Sequence, residues 1–385
     1  VSGSAVSTGD NNTSVGAYAF DAGTGSYNTG VGSGSLGSAS NTASSNTGIG
    51  YDALNSTTTG YNNTAIGTNA ARNNTTAAYN IAMGYEALFD NTTGQFNTAL
   101  GSLSLANNTT ASDNTAVGAS ALAANTTGTR NVGVGKQALL VATTGNDNVA
   151  VGFVAADSLT TASNTTAIGS WALAGNTTGA NNTAVGYRAA YSNTTGYHLT
   201  ASGMNSLYNN TTGGSNVAVG YASGSSNTTG SNNVFVGDSA SSSNTTGNSN
   251  TALGFQSLTA NTTASNNTAV GYQAGYSFTT GGYSTVMGYQ AAQNATAGGT
   301  VAIGHSSAKN NTGAGITAVG SNALVTNTSG TSSTGIGTNA LNDNTTGGYN
   351  VALGRNALYS NTTANNNTAV GYAALNLNTT GTQNV

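Results

Sequence analysis

A glycine returns twenty-two times between Gly16 and Gly371, and seventeen of the twenty-one intervals are 17 residues long. Three intervals of 16 (Gly16 to Gly32, Gly288 to Gly304, Gly304 to Gly320) and one of 18 (Gly32 to Gly50) are the only departures. Such a period is too short for a helix pair or a propeller blade. It suits one coil of a β-solenoid, with room for two short strands and two turns. The expected fold is therefore all-β: a parallel β-solenoid or β-roll of about 22 coils. It forms a single domain over 1-385, regular over 11-385 and less regular in coils 1-50 and 289-320. At the strand spacing of ~4.8 Å such a stack would be ~105 Å long.

The columns of the repeat carry its logic. Immediately before the glycine stands an aliphatic residue in every coil but that of Ser202, as in Val117, Ile168, Val185 and Val270. β-Branched side chains there favour a strand and are expected to fill a narrow interior. Three residues after the glycine every coil has Ala or Ser, for example Ala121 and Ala189, which implies close backbone approach inside a thin coil or against a partner chain. Four after it, thirteen coils have Leu, including Leu122 and Leu173. Eight after it, Thr fills twenty-one coils, among them Thr126, Thr177 and Thr194, and stacked hydroxyls are expected to form a ladder. Asn precedes that Thr in fifteen coils, as at Asn125 and Asn193, and a second Asn column, with Asn63 and Asn97, lies four before the glycine. Asn suits left-handed turn residues, and in-register amides also bond one another. Gly60 and Gly128, ten after their anchors, are expected at positive φ.

The run Asn182-Thr183-Ala184-Val185-Gly186, with Ala-Leu and Asn-Thr-Thr-Gly elements following in many coils, resembles repeats of the left-handed parallel β-roll in the heads of trimeric autotransporter adhesins. It is also similar to repeats of predicted phage tail-fibre proteins. The resemblance spans about Asn12 to Val385. It implies a left-handed coil, a homotrimer, and an extracellular, cell-surface or virion location. The function it implies is a structural or adhesive rod, with the shaft of a receptor-binding tail fibre as the alternative and surface glycans or a host receptor as external ligands.

Little else in the chain speaks for chemistry. Charged residues make up 4% and the net charge is -4 with six scattered cations, which argues against nucleic acid. Ten scattered acids cannot supply the Asp per turn of a calcium-binding roll, and His198 and His305 lie in different coils. Gly32 to Gly37 match a dinucleotide fingerprint formally, but no βαβ pattern surrounds them; the phosphate-loop pattern fails where Gln137 follows Lys136. No enzyme, cofactor or metal site is expected, and no apolar run approaches the roughly 18 residues of a membrane helix. Three surface features remain. An aromatic follows the anchor at Tyr51, Tyr85, Phe153, Tyr187, Tyr221, Phe255, Tyr272, Tyr289 and Tyr372, as packing caps, inter-chain contacts or a glycan strip. Asn-x-Thr sequons are numerous as by-products of the repeat, and the Thr column is similar to hydroxyl arrays of ice-binding solenoids, a minor alternative. Finally, the anchor after Gly371 would coincide with Gly3 of a second copy docked head to tail, the arrangement of a filament.

Overall fold

In the computed structural model residues 8–21 and 23–385 are described; Gly3 and the filament contact drawn from it lie outside them. The chain is a parallel β-solenoid. Among the described residues it has twenty-two strands of three residues each and no helix. Two compact units, Val1–Thr195 and Gly196–Val385, divide it. The first contains β1 (Thr13–Val15) to β11 (Thr183–Val185), the second β12 (Thr200–Ser202) to β22 (Thr368–Val370). Within each unit every strand pairs in parallel with the next, position for position, as Thr98 with Thr115 and Leu100 with Val117. The 16-residue coils keep this register: Thr285 faces Val301 and Val301 faces Thr317, so the missing residue comes out of the turn.

Each coil has one strand where the period suggested two. The remainder of the coil is turn, with left-handed residues at set places. In the coil of Gly118 the chain turns left-handed at Ser120 (φ 56°), Leu122 (52°) and Arg130 (57°). For non-glycine residues such a conformation costs roughly 1–2 kcal/mol each. Burying a leucine contributes about 1.5–3 kcal/mol, so the Leu column offsets its own strain. The turn backbone is bonded between coils as a strand would be: Leu122 donates its N–H to Ala138 O (3.0 Å), and Ser120 donates to Ser102 O (2.9 Å).

The anchor glycines have φ between 126° and 143°, a region open to glycine alone. A Cβ on Gly118 would also lie 2.6 Å from the carbonyl of Gly135. Conformation and space both demand glycine, coil after coil. Gly60 and Gly128 correct the expectation of positive φ, since neither adopts it. Only space favours glycine there: a Cβ on Gly128 would sit 2.3 Å from Gly145 O as the backbone stands, and the coils of Ala77 and Ala111 accommodate one.

The interior differs from the expected one in its aliphatic part. In a three-residue strand only the middle side chain points inward. The buried strand residue is thus Ala116, Ala167, Ala184 or Ala269, while Ile168 and Val185 are 41% and 38% exposed and Val117 and Val270 are partly exposed. These four do form ladders, but on the outer face of the sheet. Ala121, Ala189, Leu122 and Leu173 are fully buried, so the small-residue column is filled by the coil's own packing and calls for no partner chain. Large and small residues exchange places where a coil departs from the pattern: Phe278 enters where Gly275 replaces Leu, and Phe235 where Gly224 does.

A large part of the interior is polar, with 43 buried polar residues beside 66 buried hydrophobic ones among the described residues. Asn125, Asn193, Asn63 and Asn97 are buried. None is left-handed, so the amide ladder is the role these columns play. In one ladder Asn108 Nδ2 donates to Asn91 Oδ1 (2.8 Å) and Asn125 Nδ2 to Asn108 Oδ1 (2.9 Å), each also reaching a carbonyl of its own coil. Asn193 does the same to Asn176 (2.8 Å). In the other, the Oδ1 of Asn97 accepts the backbone N–H of Asn114 (3.0 Å), and its Nδ2 donates to Ala111 O (2.9 Å). The Thr column forms a different ladder from the expected one. Thr126 Oγ1 donates to the carbonyl of Thr143 (3.1 Å), and Thr177 Oγ1 to that of Thr194 (3.0 Å). The N–H groups of Thr126, Thr127 and Gly128 converge on the same Thr143 oxygen, an anion-type nest filled by the next coil.

The first Asn ladder stops where its successor is not Asn. Asn125 faces the coil of Ala142 and Asn261 that of Phe278, and both are left with a buried Oδ1 lacking a partner. Two predictions follow from this geometry and are read by denaturant unfolding. Asn108→Ala, in the middle of the ladder, strands a second acceptor, that of Asn91. It should destabilise by about 1–3 kcal/mol more than Asn125→Ala, which only moves the existing orphan back one coil. Equal costs would remove the ladder as the cause. Gly118→Ala should cost about 3 kcal/mol or more through φ and clash together. Gly128→Ala should cost clearly less, because Ala77 and Ala111 already occupy that column.

Candidate functional site

With the Asn, Thr and Ala columns engaged in stacking, what the molecule offers outward comes from three places in the coil. The first is the outer face of the sheet. The first residue of every strand is Thr, Val or Ile, and the third is Val, Ile, Leu or Met except at Ser202. No charged residue occurs in either column. Ile49, Ile81, Met83, Val151 and Leu253 are among its exposed members.

The second is the aromatic column after the anchor. Its members are exposed, from Tyr51, Tyr85, Tyr187 and Tyr221 to Tyr372. The structure brings together only those in consecutive coils. Phe255, Tyr272, Tyr289 and His305 stack in parallel, with centroids 5.4, 5.1 and 5.3 Å apart and planes within 10°. In such a stack each inner ring covers its neighbour's face and presents its edge to solvent, so the row makes a poor platform for a sugar laid face-on. A row of glutamines runs beside it: Gln273 Nε2 donates to Gln256 Oε1 (2.9 Å), and Lys309 Nζ donates to Gln290 Oε1 (3.0 Å). Tyr51, Tyr85 and Tyr221 have no ring in the neighbouring coils of their own column.

The third is a cluster on the first unit that column-by-column reading of the anchor position does not reveal. Trp171 and Arg188 stand two residues after successive anchors, both left-handed, at φ 63° and 54°. Because the αL geometry is common to that column in each coil, successive residues there project side by side. Trp171 meets Phe153 edge to face at 5.4 Å and 77°, and Tyr191 at 6.1 Å and 61°. The Arg188 guanidinium lies over Tyr187 at 5.0 Å and near Tyr191 at 5.7 Å. Its Nε is buried with no hydrogen-bond partner. Neither of the two ion pairs among the described residues, Arg72 with Asp52 and Arg130 with Asp147, involves it. The signal in the sequence was the only Trp and one of six cations falling in one column 17 residues apart.

Titratable groups are otherwise dispersed. Among the described residues no three of His, Cys, Asp and Glu gather as metal ligands, and no helix is long and apolar enough to cross a membrane. His198 packs edge-on against Tyr197, and His305 ends the ring stack. Asp147 is held below the usual carboxylate range by its hydrogen bond from Arg130, whose Nε and Nη2 reach it at 2.7 and 2.9 Å. Burial pushes the Asp157 carboxyl up. Of the sequons, those of the interior Asn column, such as Asn193-Thr194-Thr195, place their acceptor nitrogen inside the coil. No protein-family model matches the chain, and no curated protein is significantly similar to it.

Proposed function

We propose that the chain is a non-catalytic structural subunit of an extracellular fibre, a solenoid rod that associates laterally with other copies of itself. The observation that carries this reading is the fate of the recurrent polar side chains. Asn and Thr, the groups from which a site would be built, are engaged coil after coil in bonds to the next coil, as Asn108 is to Asn91 and Asn125 and Thr126 to Thr143. A sequence that repeats an internal fastening some twenty times is selected for extension and rigidity.

The outer columns of the sheet support the self-association. In the first unit eleven strands of about 10 Å, spaced by ~4.8 Å, present roughly 500 Å² of uncharged surface. That is more than half of the ~800 Å² each partner gives to a standard interface. A face this regular fits a copy of itself, because any partner must match a 4.8 Å repeat along its whole length.

Purified chain should sediment as a multimer, and electron micrographs should show elongated particles with an axial repeat of ~4.8 Å. Ile49→Lys combined with Met83→Lys puts cations on the outer face without entering the coil. The pair should shift the protein toward monomer while leaving its unfolding midpoint within about 0.5 kcal/mol of the parent. A parent that is monomeric at tens of micromolar removes the self-association, and particles without the axial repeat remove the structural reading as a whole.

A further inference from the structure

We infer that the cluster of Phe153, Trp171, Tyr187, Arg188 and Tyr191 is a binding site for a carboxylated glycan. The inference stands apart from the structural role, since a rod needs no such cluster. In a chain with one Trp and few charges, the residue types that dominate recognition, Trp, Tyr and Arg, meet in three successive coils. The rings meet edge to face, an arrangement that leaves ring faces for other contacts, unlike the parallel row from Phe255 to His305. Trp171 is only partly buried, and the indole surface it leaves exposed would take the C–H face of a pyranose, with the ring quadrupole attracting the polarised hydrogens.

Arg188 supplies the second half of the specificity. Its guanidinium is held by two tyrosine rings, as cation–π geometry requires, and not by a carboxylate of the chain. Its Nε is buried without an acceptor, so a ligand would meet the fork at its two Nη groups. A planar fork held over aromatics is prepared for a planar, bidentate acceptor, which a carboxylate provides. One guanidinium without a second cation beside it matches a single negative charge, hence a uronic or sialic acid in preference to a phosphorylated sugar. The nearest acid by column, Asp157, is two coils below Tyr191 and shares neither ion pair.

Trp171, the sole Trp, reports on its own site. Its fluorescence is followed in the full chain during titration with sialyllactose and tri-galacturonate, with lactose as the neutral control. Both acidic sugars should bind at least tenfold more tightly than lactose. Arg188→Gln should weaken them by roughly tenfold to a hundredfold, the range for hydrogen bonds to a charged group. Arg355→Gln, which removes a cation elsewhere, should leave them unchanged. Arg188→Lys keeps the charge but loses the fork and should recover only part of the affinity; it also serves should Arg188→Gln fold poorly, as judged by its unfolding midpoint. The proposal is overturned by equal affinity for sialyllactose and lactose, by acidic-sugar binding that survives both Arg188 variants, or by no Trp171 response and no heat of binding at millimolar sugar.

Discussion

The distance between one anchor glycine and the next governs the rest of the structure. Within each stack, a methyl added at an anchor such as Gly16, Gly118 or Gly354 would lie 2.3–2.7 Å from the backbone of the glycine above. Backbones this close can only stack in register, strand on strand and turn on turn. Every equivalent side chain then meets its own kind one strand spacing away. Columns of like residues are the consequence, and each column succeeds or fails by whether identical groups can satisfy one another at that spacing.

That requirement explains why so much of the interior is amide. An Asn is both donor and acceptor, so a file of them closes upon itself, each Nδ2 finding the Oδ1 of its neighbour as in Asn91, Asn108 and Asn125. Charged residues repeated at this spacing would repel, and a hydrophobic file leaves the nearby carbonyls unserved. The buried amides also make the stack directional and intolerant of a shift in register, because a slip exposes a whole file of unpaired groups. Where the file is broken the chain accepts an orphan acceptor, as at Asn125 and Asn261. The neighbouring coils substitute hydrophobic volume instead, Phe278 beside Gly275 being one case.

Because stacking engages the strand interior and the Asn and Thr files, variety is confined to positions that face out. The residues one and two after the anchor are free to differ between coils, and recognition has to arise there. The same stacking that builds the coil also builds such a site. Phe153, Trp171 and Arg188 are far apart as residues and neighbours as coils; Trp171 and Arg188 share one αL column, and Phe153 reaches Trp171 from the column beside it, without any dedicated loop.

The period, the glycine column and the compositional bias were sufficient to read a parallel solenoid, its coil boundaries, and the close packing around Ala121, since these follow from repetition and from which residue types tolerate close stacking. Three things were legible only in the tertiary structure. The inward direction of Ala116 rather than Val117 depends on which face of a three-residue strand closes the coil, and both residues are apolar. The left-handed turns at Leu122 and Arg130 oppose the intrinsic preference of those residues and are imposed by the bonds of the coils on either side. The meeting of Trp171 with Phe153 and Tyr191 depends on side chains leaning across coil boundaries. The repeat sets what stacks upon what, because spacing along a chain is local information; the facing of each side chain is decided between coils, where the neighbours are.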